Sequence, residues 1–409
     1  VSDFGLRISD LSGWPLRVAF LGDRLGLATG GNLYVARVAQ ELARLGVEVS
    51  LITLLPPRDI VWDPALRLIS NSADFTFGRS PEKGKWLSYL QAKWAAVGEL
   101  KKLVREPYDI LYSVGGPSNI VNHLCRTGPF RPRASVAAVF HLFRQAPWSR
   151  FLLTADTYRK PFQTIYHSWG DHLAKRFFVV TVSQYWRNRL IRRGFQADRI
   201  RVIPVGAETE DWPRLDPEEA KQKLGLTGRL VVYTSPLRLN KGILRVLQAI
   251  RLLKDRFPEV LILTTGVTDR RTQEQVHCFL TEYRLQDLFR YDGVVPREAI
   301  PWYHYAADIT VLASQEEEGW GIFLLEGMLS GKPVVCTPMG AMPELVGDRG
   351  VVLEGNEVED LARAVNRLLV SPELRQELGR AGQGEAQLFS YRSAAKAHLE
   401  LFEELLKGM

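Results

Sequence analysis

ITVLASQEEEGWGIFLLEGMLSGKPVVCTP, residues 309–338, contains two short apolar runs, ITVLAS (309–314) and PVVCTP (333–338), separated by a helix-length segment that begins at Gly321. Strands connected through a helix run parallel, because such a crossover is far longer than a hairpin turn. Parallel strands are covered on both faces and so read as near-continuous apolar runs rather than alternating ones.

The same unit recurs in both directions along the chain. RLVVYTS (229–235) leads through LRLNKG into a helix from Ile243 to about Phe257, and VLILTTG (260–266) and FRYDGVV (289–295) follow as strands. Earlier, LRVAFLGD (16–23) precedes the Gly30–Gly31 pair and a helical stretch from Asn32 to Leu45. VEVSLIT (47–53), YDILYSV (108–114), SVAAVFH (135–141), FFVVTVS (177–183) and IRVIPVG (200–206) then read as strands. Strands alternating with helices in two series predict an α/β protein of two doubly wound, Rossmann-like domains. A chain of 409 residues also exceeds one core of ordinary size. The polar stretch AETEDWPRLDPEE (207–219) reads as the linker, placing the domains at 1–205 and 206–387. Ligands of such sheets bind outside the carboxyl ends of the strands, so two facing domains are expected to enclose a central cleft.

Composition narrows the class. With 46% hydrophobic and 24% charged residues, the chain has the make-up of a globular protein. No apolar run approaches the ~18 residues that span a bilayer, and VSDFGLRISD lacks the features of a secretory signal, so a cytoplasmic protein is expected. Cys125, Cys278 and Cys336 have no paired spacing and read as buried structural thiols rather than as disulfides or a zinc site. Through residue 205 there are 29 Lys and Arg against 15 Asp and Glu, a net +14, whereas the remainder carries 24 against 31, a net −7. Such asymmetry fits either a basic surface that meets an anionic partner or ordinary solvated charge. No interleaved aromatic sheet or helix-turn-helix pattern supports nucleic acid as that partner.

Glu318 lies in the loop after ITVLAS, and Glu326 follows eight residues later on the first turns of the helix. Gly319 and Gly321 allow close backbone approach, and the free N–H groups of a helix start can receive diphosphate or sugar oxygens. Glu326 could then accept hydrogen bonds from paired hydroxyls such as those of a ribose. Both glutamates are equally explained, on spacing alone, as acids favoured near a helix amino end.

EGWGIFLLEGMLSGKPVVCTPMGAMPELV (318–346) resembles the motif of the family 4 retaining glycosyltransferases, a Glu, seven residues and a second Glu. YDGVVPREAIPWYHYAADITVLAS (291–314) and TVSQYWRNRLIRRGFQADRIRVIPVGAE (181–208) look like that family's approach to the motif and its interdomain segment. FSYRSAAKAHLELFEELL (389–406) resembles its last helix, implying that about 388–409 packs back on the first domain. The resemblance implies the GT-B fold, with an acceptor-side first domain and a donor-binding second one.

It also implies roles for individual residues. Glu326 corresponds to the ribose contact and Glu318 to the donor-sugar contact, with Gly319, Trp320, Gly321 and Ile322 holding sugar and phosphate oxygens. Lys241 looks like the lysine that neutralises the leaving diphosphate. Pro236 stands where the family usually has an arginine; either Arg238, which is close enough, replaces it or the diphosphate has one cation fewer. In the first half, the Gly30–Gly31 loop resembles one that positions donor diphosphate or acceptor, and His141 resembles a histidine lining the cleft near the reacting sugar. Backbone near Gly266 and from Gly293 to Val295 would meet the base. A nucleotide-diphosphate sugar, UDP- or GDP-linked, is the expected substrate, with no cofactor. The sequence has no Asp-x-Asp motif, and the family's front-face, retaining and metal-independent mechanism is expected. Sugar phosphorylases, nucleotide-sugar epimerases and a non-catalytic sugar-nucleotide binder share the architecture and remain rival readings.

The acceptor has a weaker trace. KGKWLSYLQAKWAAVGELKKLVR (83–105) sets Trp86, Leu90, Trp94, Val97, Leu100 and Val104 at helical steps, flanked by Lys85, Lys93, Lys101 and Lys102. This is either a helix for an anionic membrane surface, which would suit a lipid-linked or phosphate-bearing acceptor, or one whose apolar face packs on the sheet.

Overall fold

The computed structural model describes residues 15–22, 25, 30–54, 63–70, 86–140 and 172–408. The chain divides into two compact units, Val1–Val182 with Trp186–Pro204 and Tyr391–Met409, and Ser183–Tyr185 with Val205–Ser390.

In the first unit the strands are β1 (Arg17–Gly22), β2 (Glu48–Thr53), β3 (Leu66–Ser70), β4 (Ile110–Val114), β5 (Ala134–Ala138), β6 (Phe178–Thr181) and β7 (Ile200–Val202). They form one sheet in the order β3-β2-β1-β4-β5-β6-β7, with every pairing parallel. In the second unit β8 (Leu230–Thr234), β9 (Val260–Thr264), β10 (Phe289–Tyr291), β11 (Ile309–Leu312), β12 (Val334–Cys336) and β13 (Val351–Val352) form a parallel sheet in the order β10-β9-β8-β11-β12-β13. In each sheet the winding reverses beside the first strand, between β1 and β4 and between β8 and β11. A crevice at the carboxyl ends of such a pair is where doubly wound folds hold ligands.

Burial explains the strand pattern. All five residues of β9 and all four of β11 are buried, as expected of strands covered on both faces. The helix Ile243–Leu253 buries Ile243, Val246, Leu247, Ala249, Ile250 and Leu253, the stripe of a 3.6-residue repeat, against Val232, Ile262 and Val311. In the first unit the last helix, Tyr391–Lys407, packs on Gly30–Arg44 through buried rings, with Tyr34 facing Tyr391 and His398.

Two sequence expectations change. Residues 207–219 are not an open linker: the Ala207 N–H donates to the Phe389 carbonyl (2.9 Å), and buried Trp212 donates from Nε1 to Ser330 Oγ (3.0 Å). Asp216 then caps the helix Pro217–Lys223 by accepting from the Glu218 and Glu219 amides. The second change is Cys278, which is exposed on the helix Arg270–Tyr283, whereas Cys125 and Cys336 are buried. Of the two readings of 83–105, packing on the sheet is the one seen: the helix Trp86–Leu103 buries Ala96, Val97, Leu100 and Leu103 in the first unit's core, while Trp94 is 49% exposed. The side chains before Trp94 in that helix, and Lys85, lie outside the described residues. Among the described residues no helix is long and apolar enough to cross a membrane.

Candidate functional site

The second unit's switch point is built by two loops pressed against each other. After β8 the chain makes a single 3-10 turn, Leu239–Lys241, and enters the next helix through Gly242 at φ 86°. A Cβ on Gly242 would stand 1.9 Å from the Ala313 carbonyl oxygen, so both its left-handed backbone and its contact demand glycine. The Gln315 amide donates to the Asn240 carbonyl (2.8 Å), tying this turn to the loop after β11.

That seam sets Lys241 beside Glu318. Lys241 Nζ donates to Glu318 Oε1 at 2.6 Å and Oε2 at 2.8 Å, and Ser314 Oγ donates to the same Oε1 at 2.6 Å. The pair is partly shielded, with Lys241 27% and Glu318 13% exposed. Glu318 is fixed by its backbone as well: its carbonyl accepts the Ala341 amide at 3.1 Å. Gly340, at φ 69°, lies so close that a Cβ there would be 2.3 Å from the Glu318 nitrogen and oxygen. The neighbouring Glu317 receives the Tyr185 hydroxyl at 2.5 Å.

Gly321 caps the helix Ile322–Leu329, whose first amides, as at any helix start, have no intrahelical acceptor. Trp320 is buried and packs edge-on to Phe389 (5.4 Å). Glu326 lies on this helix with its side chain 6% exposed. Its Oε1 accepts from Arg297 Nη1 at 2.5 Å, and its Oε2 stands 3.4 Å from Nε2 of the wholly buried His304. Burial opposes ionisation of Glu326, but the Arg297 guanidinium and the His304 ring outweigh it and hold the carboxyl below its ordinary range. Burial is also the main cause that keeps His304 neutral at ordinary pH.

The other sequence candidates fall into three places. Arg238 precedes the 3-10 turn of Lys241, and its charge acts on Asp269, which caps the helix Arg270–Tyr283. The Gly293 carbonyl accepts the Gly266 amide at 2.7 Å and the Gly266 carbonyl accepts the Tyr291 hydroxyl, so these groups partly satisfy one another beside Val295. Gly30 and Gly31 open the helix Gly30–Arg44 in the first unit, where a Cβ on Gly31 would lie 3.1 Å from the Phe140 ring. His141 lies outside the described residues. Arg297, His304, Ser314 and Gly340 were not singled out by sequence. Their contacts with the two glutamates span 4 to 29 positions, and no spacing rule announces them.

Comparison with known proteins fits this geometry. Residues 216–385 match the family described as glycosyl transferases group 1, and residues 29–206 match the glycosyl transferase 4-like domain. A D-inositol 3-phosphate glycosyltransferase of Acidothermus cellulolyticus is 26% identical over 410 residues, covering 96% of this chain and 88% of that protein. The O-antigen chain mannosyltransferase B of Escherichia coli is 30% identical over 237 residues, 56% of this chain and 60% of that one. Among solved structures, sucrose-phosphate synthase of Thermosynechococcus elongatus superposes with a TM-score of 0.76 at 20% identity, covering 96% of this chain and all of the other. HepE of Anabaena, solved with UDP and glucose, gives 0.72 at 19% identity, covering 95% of this chain and 99% of that one. The two matched regions together take in most of the chain, and with the two doubly wound units they show that this protein belongs to the group 1, family 4-like glycosyltransferases of the GT-B fold.

Proposed function

We propose that the protein moves a sugar from a nucleotide-diphosphate sugar to an acceptor hydroxyl with retention at the anomeric carbon and without a metal ion. The observation that carries this reading is the constellation at the carboxyl ends of β8 and β11: Lys241 paired with Glu318, the helix start at Gly321, and the charged Glu326 one helix turn further on. The relatives' names agree with the reaction class, and HepE of Anabaena, a structural neighbour, was solved with UDP and glucose.

Each residue then has a task. Backbone amides from Gly319 to Ile322 and the Lys241 ammonium receive the diphosphate, Glu318 accepts from a hydroxyl of the donor sugar, and Glu326 accepts from the ribose. Arg238 supplies the second phosphate cation in place of Pro236. As the bond from the anomeric carbon to the phosphate oxygen breaks, negative charge grows on the diphosphate, and a preorganised donor at such a position contributes on the order of 3 kcal/mol to the transition state. The acceptor oxygen bonds to the same face of that carbon, and its proton passes to the departing phosphate oxygen. His141 acts near the reacting sugar, and the Gly30–Gly31 loop positions the donor diphosphate or the acceptor.

The net +14 through residue 205 favours a phosphate-bearing or lipid-linked acceptor presented at an anionic membrane face. Co-sedimentation with anionic but not neutral vesicles supports that placement, and its absence removes it. The reaction itself is tested by NMR of the product formed from UDP-, GDP- and ADP-sugars with phosphate-bearing acceptor alcohols. An axial donor bond kept axial is the expected outcome, whereas an inverted anomer contradicts the mechanism.

A further inference from the structure

We propose that Arg297 and His304 are positioning residues that hold Glu326 in one charged orientation, and that they thereby set the preference of this site for a ribose over a 2′-deoxyribose. The inference rests on the reading of Glu326 as the ribose contact.

A carboxylate as buried as Glu326 would ordinarily take up a proton, because desolvation penalises the charge. A neutral carboxyl accepts poorly and would compete with a diol as a donor. Arg297 prevents this from the short turn Arg297–Ala299, with Nη1 at 2.5 Å from Oε1. Its guanidinium is steadied on another side by Glu208, 3.9 Å from Nε. The two carboxylate oxygens therefore differ. Oε1 carries a charge-assisted bond, whereas Oε2 stands 3.4 Å from the His304 ring and keeps accepting capacity for a ligand hydroxyl.

His304 fixes that difference. Its ring is fully buried among Tyr233 at 4.9 Å, Phe323 at 5.1 Å and Trp212 at 6.1 Å, and neither nitrogen makes a hydrogen bond. An imidazole in such a cage cannot swing away, so it limits the rotation of the carboxylate without neutralising it. The charged and titratable groups that bear on the pair are Arg297 from its turn, Tyr233 from β8, and Lys332, which acts on His304 from beyond the end of the Glu326 helix.

The test is calorimetric binding of UDP against 2′-deoxy-UDP, and of GDP against 2′-deoxy-GDP, to the full chain across pH. The wild-type protein is expected to favour the ribonucleotide by roughly tenfold or more, the worth of one hydrogen bond to a charged group, and to keep that preference down to about pH 5. Arg297→Gln should reduce the preference severalfold and move its loss to higher pH, since desolvation of Glu326 is then unopposed. Arg297→Lys should restore part of it, and His304→Phe, which fits the apolar cage, should weaken it and also move its loss to higher pH, because the His304 ring helps to lower the Glu326 carboxyl. A preference that survives in Glu326→Ala contradicts the ribose reading itself. A preference abolished by Glu326→Ala but unchanged, with its pH profile, in Arg297→Gln overturns the inference alone. The wild-type profile needs no variant, and loss of preference above pH 6 also overturns it.

Discussion

Lys241 and Glu318 come from loops after two different strands, yet Lys241 Nζ stands 2.6 and 2.8 Å from the two carboxylate oxygens of Glu318. A cation proposed for the leaving group is thus held by the acid proposed for the sugar. The pairing pre-positions a flexible lysine, so that less side-chain freedom is lost when a diphosphate arrives. Lys241→Ala is expected to lower kcat by about 10²–10³-fold at saturating donor, and Ser314→Ala, which removes only the second donor to Glu318, by far less. Equal losses from both in steady-state kinetics would contradict this division.

Gly340 and Gly242 carry the geometry of that pair through the backbone alone. Both have left-handed backbones, and a methyl at either meets main-chain atoms, Glu318 in one case and the Ala313 carbonyl in the other. Gly340→Ala should destabilise the protein by at least about 1–2 kcal/mol for the backbone conformation alone, with the steric conflict added. Denaturant melts read the effect, and a wild-type midpoint in Gly340→Ala would show that the loop gives way freely.

His398 links stability to pH in the first unit. Its Nδ1 lies 2.8 Å from the Ala394 carbonyl, which can only accept, so Nδ1 carries the hydrogen and Nε2 accepts from the Tyr112 hydroxyl 3.1 Å away. Burial pushes the imidazole down to about 4, below its ordinary 6.5. The unfolded chain therefore binds a proton first as pH falls, and stability present above about 6.5 drains between 6.5 and 4, by up to about 3 kcal/mol. His398→Gln should be less stable at pH 7 but show a flatter slope through that window in urea melts. An unchanged slope would assign the acid sensitivity to other groups.

The strands were readable because each is buried on both faces and so stands out as an apolar run, as β9 and β11 do. The segment 207–219 reads as a linker because of its prolines and acids, while its structural content rests on Trp212, the Asp216 cap and the backbone bond to Phe389. Cys278 is exposed although cysteines favour burial, and a thiol on an amphipathic helix carries no mark of which face it occupies. Glu318 and Glu326 were visible as a motif. Their partners were not, because Gly340 approaches Glu318 and Arg297 approaches Glu326 through the winding of the sheet, which no local pattern encodes.

Donor binding at the second unit is the central claim, and a thermal-shift screen against UDP, GDP, ADP and their common sugar conjugates tests it most directly, with Glu326→Ala alongside. A ligand that binds only the folded state adds about 2.7 kcal/mol at a hundredfold excess over its Kd, enough to raise Tm by several degrees. The account predicts a clear rise with one of these nucleotides that shrinks or vanishes in Glu326→Ala. A wild-type protein that none of them stabilises, or a variant stabilised as fully as the wild type, would contradict it.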